Sequence, residues 1–166
     1  MTHEDYVSII LAQWAAERPD LDASPIGIVG RISRLSRVVE KELELVFSQF
    51  GLNHWSYDML ATLRRAGSPY RLSPTELFRS MMVTSGTMTN RIDRLAEKGL
   101  VRRVSDPEDR RGILVELTDQ GRELIDSAMI LHVANEARLL QPLSREEQST
   151  LTVLLRKWLS SLEHRS

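Results

Sequence analysis

Apolar residues recur at helical intervals through the first third of the 166-residue chain. Residues 4–17 carry such a pattern, and Pro19 ends it. The next segment is longer, about six turns closed by Gly51. Its apolar side chains stand three or four residues apart at Ile28, Ile32, Leu35, Val39, Leu43, Val46 and Phe50. The pattern predicts two N-terminal helices, the second of them long.

The middle of the chain predicts three shorter helices. Residues 56–66 form the first. Residues 73–76, Ser-Pro-Thr-Glu, begin the second with a complete capping box and proline at the first helical position. The third has small hydroxyl side chains on its leading turn; we expect it to start at Thr84 or Ser85 and to end before Gly99, its C-cap.

Two strands and two more helices complete the prediction. Residues 100–104 and 113–117 are short apolar runs on either side of a turn dense in Asp and Arg, as in a hairpin. Thr118 caps a helix that extends to about Leu140, and Pro142 breaks it. The last helix opens at Ser144 and carries an apolar stripe at Leu151, Leu154, Leu155, Trp158, Leu159 and Leu162.

A helix, a break, a second helix and a hairpin are the parts of a winged helix-turn-helix. The long helices on both sides of it cannot bury their stripes against so small a core. We therefore expect a mainly α fold with a small β-wing, in one domain over residues 1–166. Residues 56–118 would bind DNA, and residues 1–55 and 119–166 would form a helical dimerisation region. Two-fold symmetry then matches a palindromic operator with half-sites ~10 bp apart.

Composition restricts any nucleic-acid function to local features. The net charge is −1, so the protein does not bind DNA by bulk attraction. Residues 71–112 nevertheless hold nine Lys or Arg against six Asp or Glu, an excess of +3 that leaves −4 for the remainder.

The chain has no cysteine, which excludes disulfides and thiolate metal sites. No apolar run reaches the ~20 residues of a membrane span. Because the N-terminus is acidic rather than basic, we expect a cytoplasmic protein, without membrane contact, metal or cofactor.

The third short helix carries the side chains best suited to reading DNA. Ser85, Thr87, Thr89 and Asn90 are short donors and acceptors near a helix N-terminus, and Arg94, one turn later, can reach a phosphate or a guanine. Each of them has an ordinary alternative, as a helix cap or a solvated polar side chain. As a group they predict a recognition helix.

The hairpin turn carries a second candidate DNA contact. An arginine at its tip can enter a narrow minor groove, where negative potential is concentrated. We favour Arg111 for the groove, because Asp109 two residues earlier can hold its guanidinium by a bidentate pair, and Arg110 for a phosphate. The alternative is a charged tip that only keeps the hairpin soluble.

These features together resemble the MarR family of bacterial transcriptional regulators. The similarity covers residues 73–124 and includes the family's wing pattern, Asp-x-Arg followed by a strand and Leu-Thr, here Asp109 to Thr118. The flanking helices also fit the family's dimerisation region. The resemblance implies a homodimer that represses genes, often including its own, and leaves DNA when a small anionic or phenolic ligand binds.

The chain also resembles the urate-responsive branch of that family. This similarity implies a ligand site made of Trp14, Asp58, Arg91 and Arg103. The set suits a flat purine anion, since an indole can stack, arginine offers a planar fork and a carboxylate accepts from ring N–H groups. A phenolic ligand in place of urate stays open. So do structural roles, with Trp14 packing its helix and Asp58 pairing with Arg91.

Two other functions are weaker interpretations. An enzyme is disfavoured because the sequence has no HExxH spacing, phosphate-binding Gly-rich loop or GxSxG elbow. A winged helix used only for protein–protein assembly would not need the hydroxyl-rich helix or the arginine-tipped wing. His132 lies on the helix expected at the dimer axis, where protonation could loosen the dimer, but a surface or core role is the ordinary alternative.

Overall fold

The computed structural model describes residues 4–82, 88–109 and 111–164. It confirms a mainly helical fold with a small antiparallel sheet. The chain divides into two compact units, residues 1–42 and 43–166. The elements within the described ranges are α1 (Tyr6–Glu17), α2 (Ser24–Ser48), α3 (His54–Arg65), β1 (Arg71–Leu72), α4 (Pro74–Ser80), α5 (Met88–Glu97), β2 (Val101–Ser105), β3 (Ile113–Leu117), α6 (Asp119–Leu139) and α7 (Arg145–Glu163).

The helix starts predicted from capping residues are confirmed for α4, α6 and α7. Their caps are Ser73, Thr118 and Ser144, and each side-chain oxygen accepts a hydrogen bond from a backbone N–H in the first turn. The predicted start of α5 at Thr84 or Ser85 lies outside the described residues.

Helix α3 begins two residues earlier than predicted. Asn53 is its cap and accepts a hydrogen bond from the backbone N–H of Ser56 at 3.1 Å, while Ser56 Oγ accepts from the backbone N–H of Asn53 at 2.8 Å. Ser56 is therefore the third residue of a capping box rather than the first residue of the helix. Helix α2 likewise starts at Ser24, ahead of its first stripe residue.

The three strands are arranged in the order β1-β3-β2, with Arg103 opposite Val115 in the hairpin. The hairpin was predicted, and β3 has the predicted bounds. Strand β1 was not predicted, because two residues are too few to show an alternating pattern. It pairs Arg71 with Glu116 and Leu72 with Val115, and so attaches the segment before α4 to the central strand.

The core of the second unit lies between the end of α2, α3, α5, the sheet and α6. Its fully buried side chains include Phe47, Met59, Leu60, Leu63, Ile92, Leu95, Val115 and Ile125. Phe47 stacks on Tyr57 with ring centroids 4.2 Å apart. Burial raises the pKa of the Tyr57 hydroxyl well above its usual range.

The first unit is held together by polar as well as apolar contacts. Arg31 Nε on α2 lies 2.7 Å from Asp5 Oδ2, and Val7 of α1 is buried. The hydrogen bond from Arg31 lowers the pKa of Asp5 to about 2, with a further contribution from the backbone N–H of Ser8.

Several apolar stripes stay exposed on the single chain. The clearest lies on α7, in which none of residues 145–163, all of them described, is buried. Its exposed side chains are Leu151, Val153, Leu154, Leu155, Trp158, Leu159 and Leu162. On α2 the predicted stripe is buried at Leu43 and Val46 but exposed at Ile28, Ile32 and Leu35. Among the described residues, no helix is both long and apolar enough to span a membrane.

Candidate DNA interface and effector site

Helix α5 presents a polar face opposite its buried one. Ile92 and Leu95 are buried against the core, whereas Thr89, Asn90 and Arg94 are exposed. The side chains predicted to read DNA therefore lie on the outer face of this helix, as far as the structure describes them. Ser85 and Thr87, the other two predicted members of the group, lie outside the described residues.

The wing turn is closed by backbone hydrogen bonds and leaves little room for a side chain at Gly112. The N–H of Asp106 donates to the carbonyl of Gly112 at 3.0 Å, and the N–H of Gly112 donates to the carbonyl of Asp109 at 2.8 Å. A Cβ at Gly112 would lie 2.9 Å from Asp106 Cβ, closer than side chains tolerate. The sequence at this position therefore shapes the tip on which Arg111 is carried.

Asp109 contacts Arg111 in a different way from the one predicted. Its Oδ1 accepts a hydrogen bond from the backbone N–H of Arg111 at 2.9 Å, an Asx-type contact that fixes the turn. The Arg111 side chain is exposed at the tip. A bidentate pair between the two side chains, and the groove contact it would support, stay predictions. Arg110 lies outside the described residues.

The wing is joined to helix α5 by an ion pair. The guanidinium of Arg103 on β2 donates to the carboxylate of Asp93 on α5, and both side chains are partly exposed. Sequence reasoning assigned Arg103 to a ligand and overlooked Asp93. A ligand that binds Arg103 must compete with Asp93 for this guanidinium.

Asp58 of α3 is hydrogen-bonded to Met82, which follows α4. Its side chain is 7% exposed, and Oδ2 accepts a hydrogen bond from the backbone N–H of Met82 at 2.8 Å. Arg91, also predicted for the ligand site, is 9% exposed, and its guanidinium lies 5.3 Å from the ring centroid of Trp55. The Trp55 contact was not predicted, because it depends on how α3 and α5 pack.

The remaining predicted ligand residue, Trp14, lies on α1 in the first unit and is 42% exposed, whereas the other three belong to the second unit.

His132 packs against two aromatic rings. The ring centroids are 4.8 Å apart for His132 and Tyr57, and 5.4 Å apart for His132 and Phe47. Its Nε2 lies 3.3 Å from Glu136, while its buried Nδ1 has no hydrogen-bond partner in the described part of the chain.

Residues 4–82, 88–109 and 111–164 contain no group of acidic or histidine side chains that could hold a metal ion.

A capped helix, a second helix with an exposed polar face and an arginine-tipped hairpin define a winged helix-turn-helix protein, and the chain belongs to the MarR family. The MarR family model matches residues 52–113. The chain is 43% identical to the HTH-type transcriptional regulator PecS of Dickeya dadantii over 149 residues, and these residues cover 90% of each protein. It is accordingly a PecS-like, DNA-binding transcriptional regulator.

Solved structures of the family show the same fold. Sco3205 of Streptomyces coelicolor, in complex with DNA, has a TM-score of 0.75 and 26% identity, with 86% of this chain and 89% of that one covered. A mutant of MarR from Escherichia coli, complexed with operator DNA, has a TM-score of 0.69 and 26% identity, with 94% and 99% covered. The predicted winged-helix architecture is thereby confirmed.

Proposed function

We propose that this regulator is a homodimeric repressor that binds a palindromic operator and releases it when a small planar anion, urate in the first instance, is bound. The observation that carries the proposal is the uncovered apolar stripe of α7. A stripe of leucines and a tryptophan along about three turns of helix has the chemistry of a subunit interface. A second chain would cover it.

Two-fold symmetry connects the dimer to the operator. An isologous dimer carries two copies of α5 and two wings related by one axis, so the DNA sequence that it reads is palindromic. We assign base contacts to Ser85, Thr87, Thr89, Asn90 and Arg94, and backbone and minor-groove contacts to Arg110 and Arg111. A repressor acts on the chromosome, which places the protein in the bacterial cytoplasm.

The effector site that we propose consists of Trp14, Asp58, Arg91 and Arg103. Two of these side chains already hold parts of the DNA-reading apparatus. Asp58 accepts from the backbone of Met82, and Arg103 is paired with Asp93 on α5. A ligand whose negative charge pairs with Arg103, or whose ring N–H donates to Asp58, changes the restraints on α5, which links ligand binding to DNA release. The 43% identity to PecS supports the membership of this chain in the same branch of the family as PecS.

The dimer is tested on α7. Leu155→Glu places a charge in the exposed stripe, and we expect sedimentation of the wild-type chain as a dimer and of the variant as a monomer or an unfolded species. Ser160→Glu, on the same helix but outside the stripe, is the matched control and should leave the dimer intact. A wild-type protein that sediments as a monomer at micromolar concentration contradicts the proposal.

DNA binding is tested by its dependence on salt. Arg111→Gln should lower the slope of log K against log salt concentration by about one, because one phosphate or groove contact is lost. Arg37→Gln, an exposed arginine on α2, should leave the slope unchanged. Equal slopes for wild type and Arg111→Gln would remove the wing from the interface, and a complete lack of binding would favour an assembly module.

The effector is tested by release of operator DNA in titrations with urate and, separately, salicylate. Trp14→Phe, Asp58→Asn and Arg91→Gln are each expected to weaken urate-induced release, whereas Asp126→Asn, at an exposed carboxylate, is the control. Release by salicylate alone would point to a phenolic effector at the same residues. Wild-type release by urate in all three variants would show that the site is assigned wrongly.

Repression is tested with a reporter gene placed behind the operator. Expression of the reporter should be lower in the presence of the regulator than in its absence, and higher expression would contradict the assignment as a repressor.

A further inference from the structure

Helix α3 holds the end of α4 and the residues that follow it through two charged side chains. Asp58 accepts from the backbone N–H of Met82 at 2.8 Å, and Arg65 Nη2 donates to the backbone carbonyl of Ser80. Asp58 and Arg65 are seven residues apart on α3, about two turns, so they lie on the same side of this helix. The short segment 80–82 is therefore attached to α3 at both of its ends.

The guanidinium of Arg65 is itself held in place by its own helix. Thr62 is 1% exposed, and its hydroxyl accepts a hydrogen bond from the same Nη2 atom of Arg65 at 3.1 Å. Nη2 carries two hydrogens, so it can donate to Thr62 and to Ser80 at the same time. Among the residues that the structure describes, no carboxylate lies within ion-pair distance of Arg65. Its polar contacts in this part of the chain are with a hydroxyl and with the backbone of α4.

The carbonyl that Arg65 binds is one that α4 cannot satisfy by itself. Ser80 is the last residue of α4, and the last carbonyls of a helix have no N–H of the same helix to accept from. An arginine that donates to such a carbonyl satisfies it and also interacts favourably with the negative end of the helix dipole. Arg65 therefore stabilises the end of α4 at a fixed position on α3.

The segment held in this way lies close in sequence to the residues that we assign to base contact. Ser85, the first of them, comes three residues after Met82. A helix-turn-helix reads bases with the N-terminal part of its second helix, so a change in the direction of the preceding turn displaces those side chains together. Hydrogen bonds to base edges depend on exact placement, whereas attraction to phosphates is independent of sequence. Loss of the attachment should therefore reduce discrimination among DNA sequences more than it reduces non-specific binding.

We propose that Arg65 is a positioning residue for sequence recognition, which acts with Asp58 to fix segment 80–82 on α3 and so sets where the base-reading residues enter the major groove. The inference rests on the assignment of α5 to that groove in the proposed function. Arg65 acts through the backbone of Ser80 and needs no contact with a base.

The test compares Arg65→Gln with Arg64→Gln, a matched control at the neighbouring arginine. Each variant loses one positive charge at the end of α3, but Arg64 bonds Asp126 on α6 rather than the backbone of α4. Fluorescence anisotropy measures the affinity of the full-length protein for two duplexes. One is selected by the wild-type protein from a random-sequence library, and the other is a shuffled sequence of the same length and composition. Circular dichroism at the assay temperature shows that each variant is folded.

We expect the selected duplex to bind Arg65→Gln about tenfold more weakly than wild type, because one hydrogen bond from a charged group no longer holds the turn. Binding of the shuffled duplex should not change, and Arg64→Gln should bind both duplexes as the wild type does. Arg65→Lys, which keeps a charged donor, should lie between wild type and Arg65→Gln.

Three results would overturn the positioning role. The first is an unchanged ratio of the two affinities in Arg65→Gln. The second is an equal loss in Arg64→Gln, which would attribute the effect to charge alone. The third is equal weakening on both duplexes with the slope of log K against log salt concentration lowered by about one, which would identify Arg65 as a phosphate contact.

A measurement without DNA distinguishes failure of this inference from failure of the proposed function. Hydrogen exchange followed by NMR reports local opening at the Met82 amide, which donates to Asp58. If Arg65 and Asp58 hold the segment together, this amide should exchange about tenfold faster in Arg65→Gln, and at the wild-type rate in Arg64→Gln. Unchanged exchange in Arg65→Gln would refute the inference whether or not the protein binds DNA. Faster exchange, in a protein whose wild type selects no duplex, would instead refute the proposed function and the role in recognition with it.

Discussion

Replacement of Asp58 by alanine is the sharpest single test of how the helix-turn-helix is supported. The carboxylate is almost fully buried and accepts a hydrogen bond from the backbone N–H of Met82 at 2.8 Å. Met82 immediately precedes the segment that leads into α5. Asp58→Ala therefore removes the acceptor of the Met82 N–H.

The expected loss of stability follows from the energy of a hydrogen bond to a charged group. Such a bond contributes about 1.5–3 kcal/mol net. Because the acceptor carboxylate is buried, we expect the upper part of this range, a decrease of about 2–3 kcal/mol in the free energy of unfolding. Asp58→Asn keeps an oxygen acceptor but not the charge, and its loss should be about half as large.

Urea denaturation followed by far-ultraviolet circular dichroism measures the effect. With a slope of about 2 kcal/mol per M, the midpoint should fall by about 1 M or more for Asp58→Ala. Asp126→Ala is the control, because Asp126 bonds Arg64 at 2.7 Å on an exposed surface and exposed ion pairs contribute little. A loss in Asp58→Ala no greater than that in Asp126→Ala would refute the reasoning.

Two glycines and one carboxylate give further predictions. A Cβ at Gly121 would overlap the backbone carbonyl of Leu100, so Gly121→Ala should lower stability by about 3 kcal/mol. Gly30→Ala, whose Cβ would meet its nearest neighbour at 3.4 Å inside a helix, should raise stability by about 1 kcal/mol in the same denaturation assay. An NMR titration should give Asp5 a pKa of about 2, returning toward 3.8 in Arg31→Gln. Because folding lowers this pKa, the pair stabilises the fold above pH 3.8, and its contribution disappears as the pH falls toward 2.

Features of the fold that are encoded by neighbouring residues could be predicted from sequence. The caps at Ser73, Thr118 and Ser144 need only a side chain and a backbone N–H three residues away, so their patterns were sufficient. Strand β1 could not be found in this way, since it exists only through its pairing with β3. The early start of α3 could have been inferred from Asn53, an ordinary capping residue followed three positions later by serine.

The residues proposed for DNA contact were selected by residue type. The structure places Thr89, Asn90 and Arg94, three of them, on the exposed face of α5. The partners of Asp58, Arg91 and Arg103 could not be predicted from sequence patterns, because they come from packing between elements that are distant in sequence. Asp109 accepts a hydrogen bond from the backbone of its own turn, because a short side chain reaches its own loop first.

The bare surface of α7 has a consequence for how much of this regulator a cell can keep folded. A helix whose apolar side chains stay about half exposed in its own chain gains the rest of their hydrophobic free energy only when another molecule covers them. If two chains pair through α7, the apparent melting temperature rises with total protein concentration. Dilution then lowers the stability of the subunit fold together with that of the dimer. The copy number of the protein would then influence its lifetime as well as the occupancy of its operator.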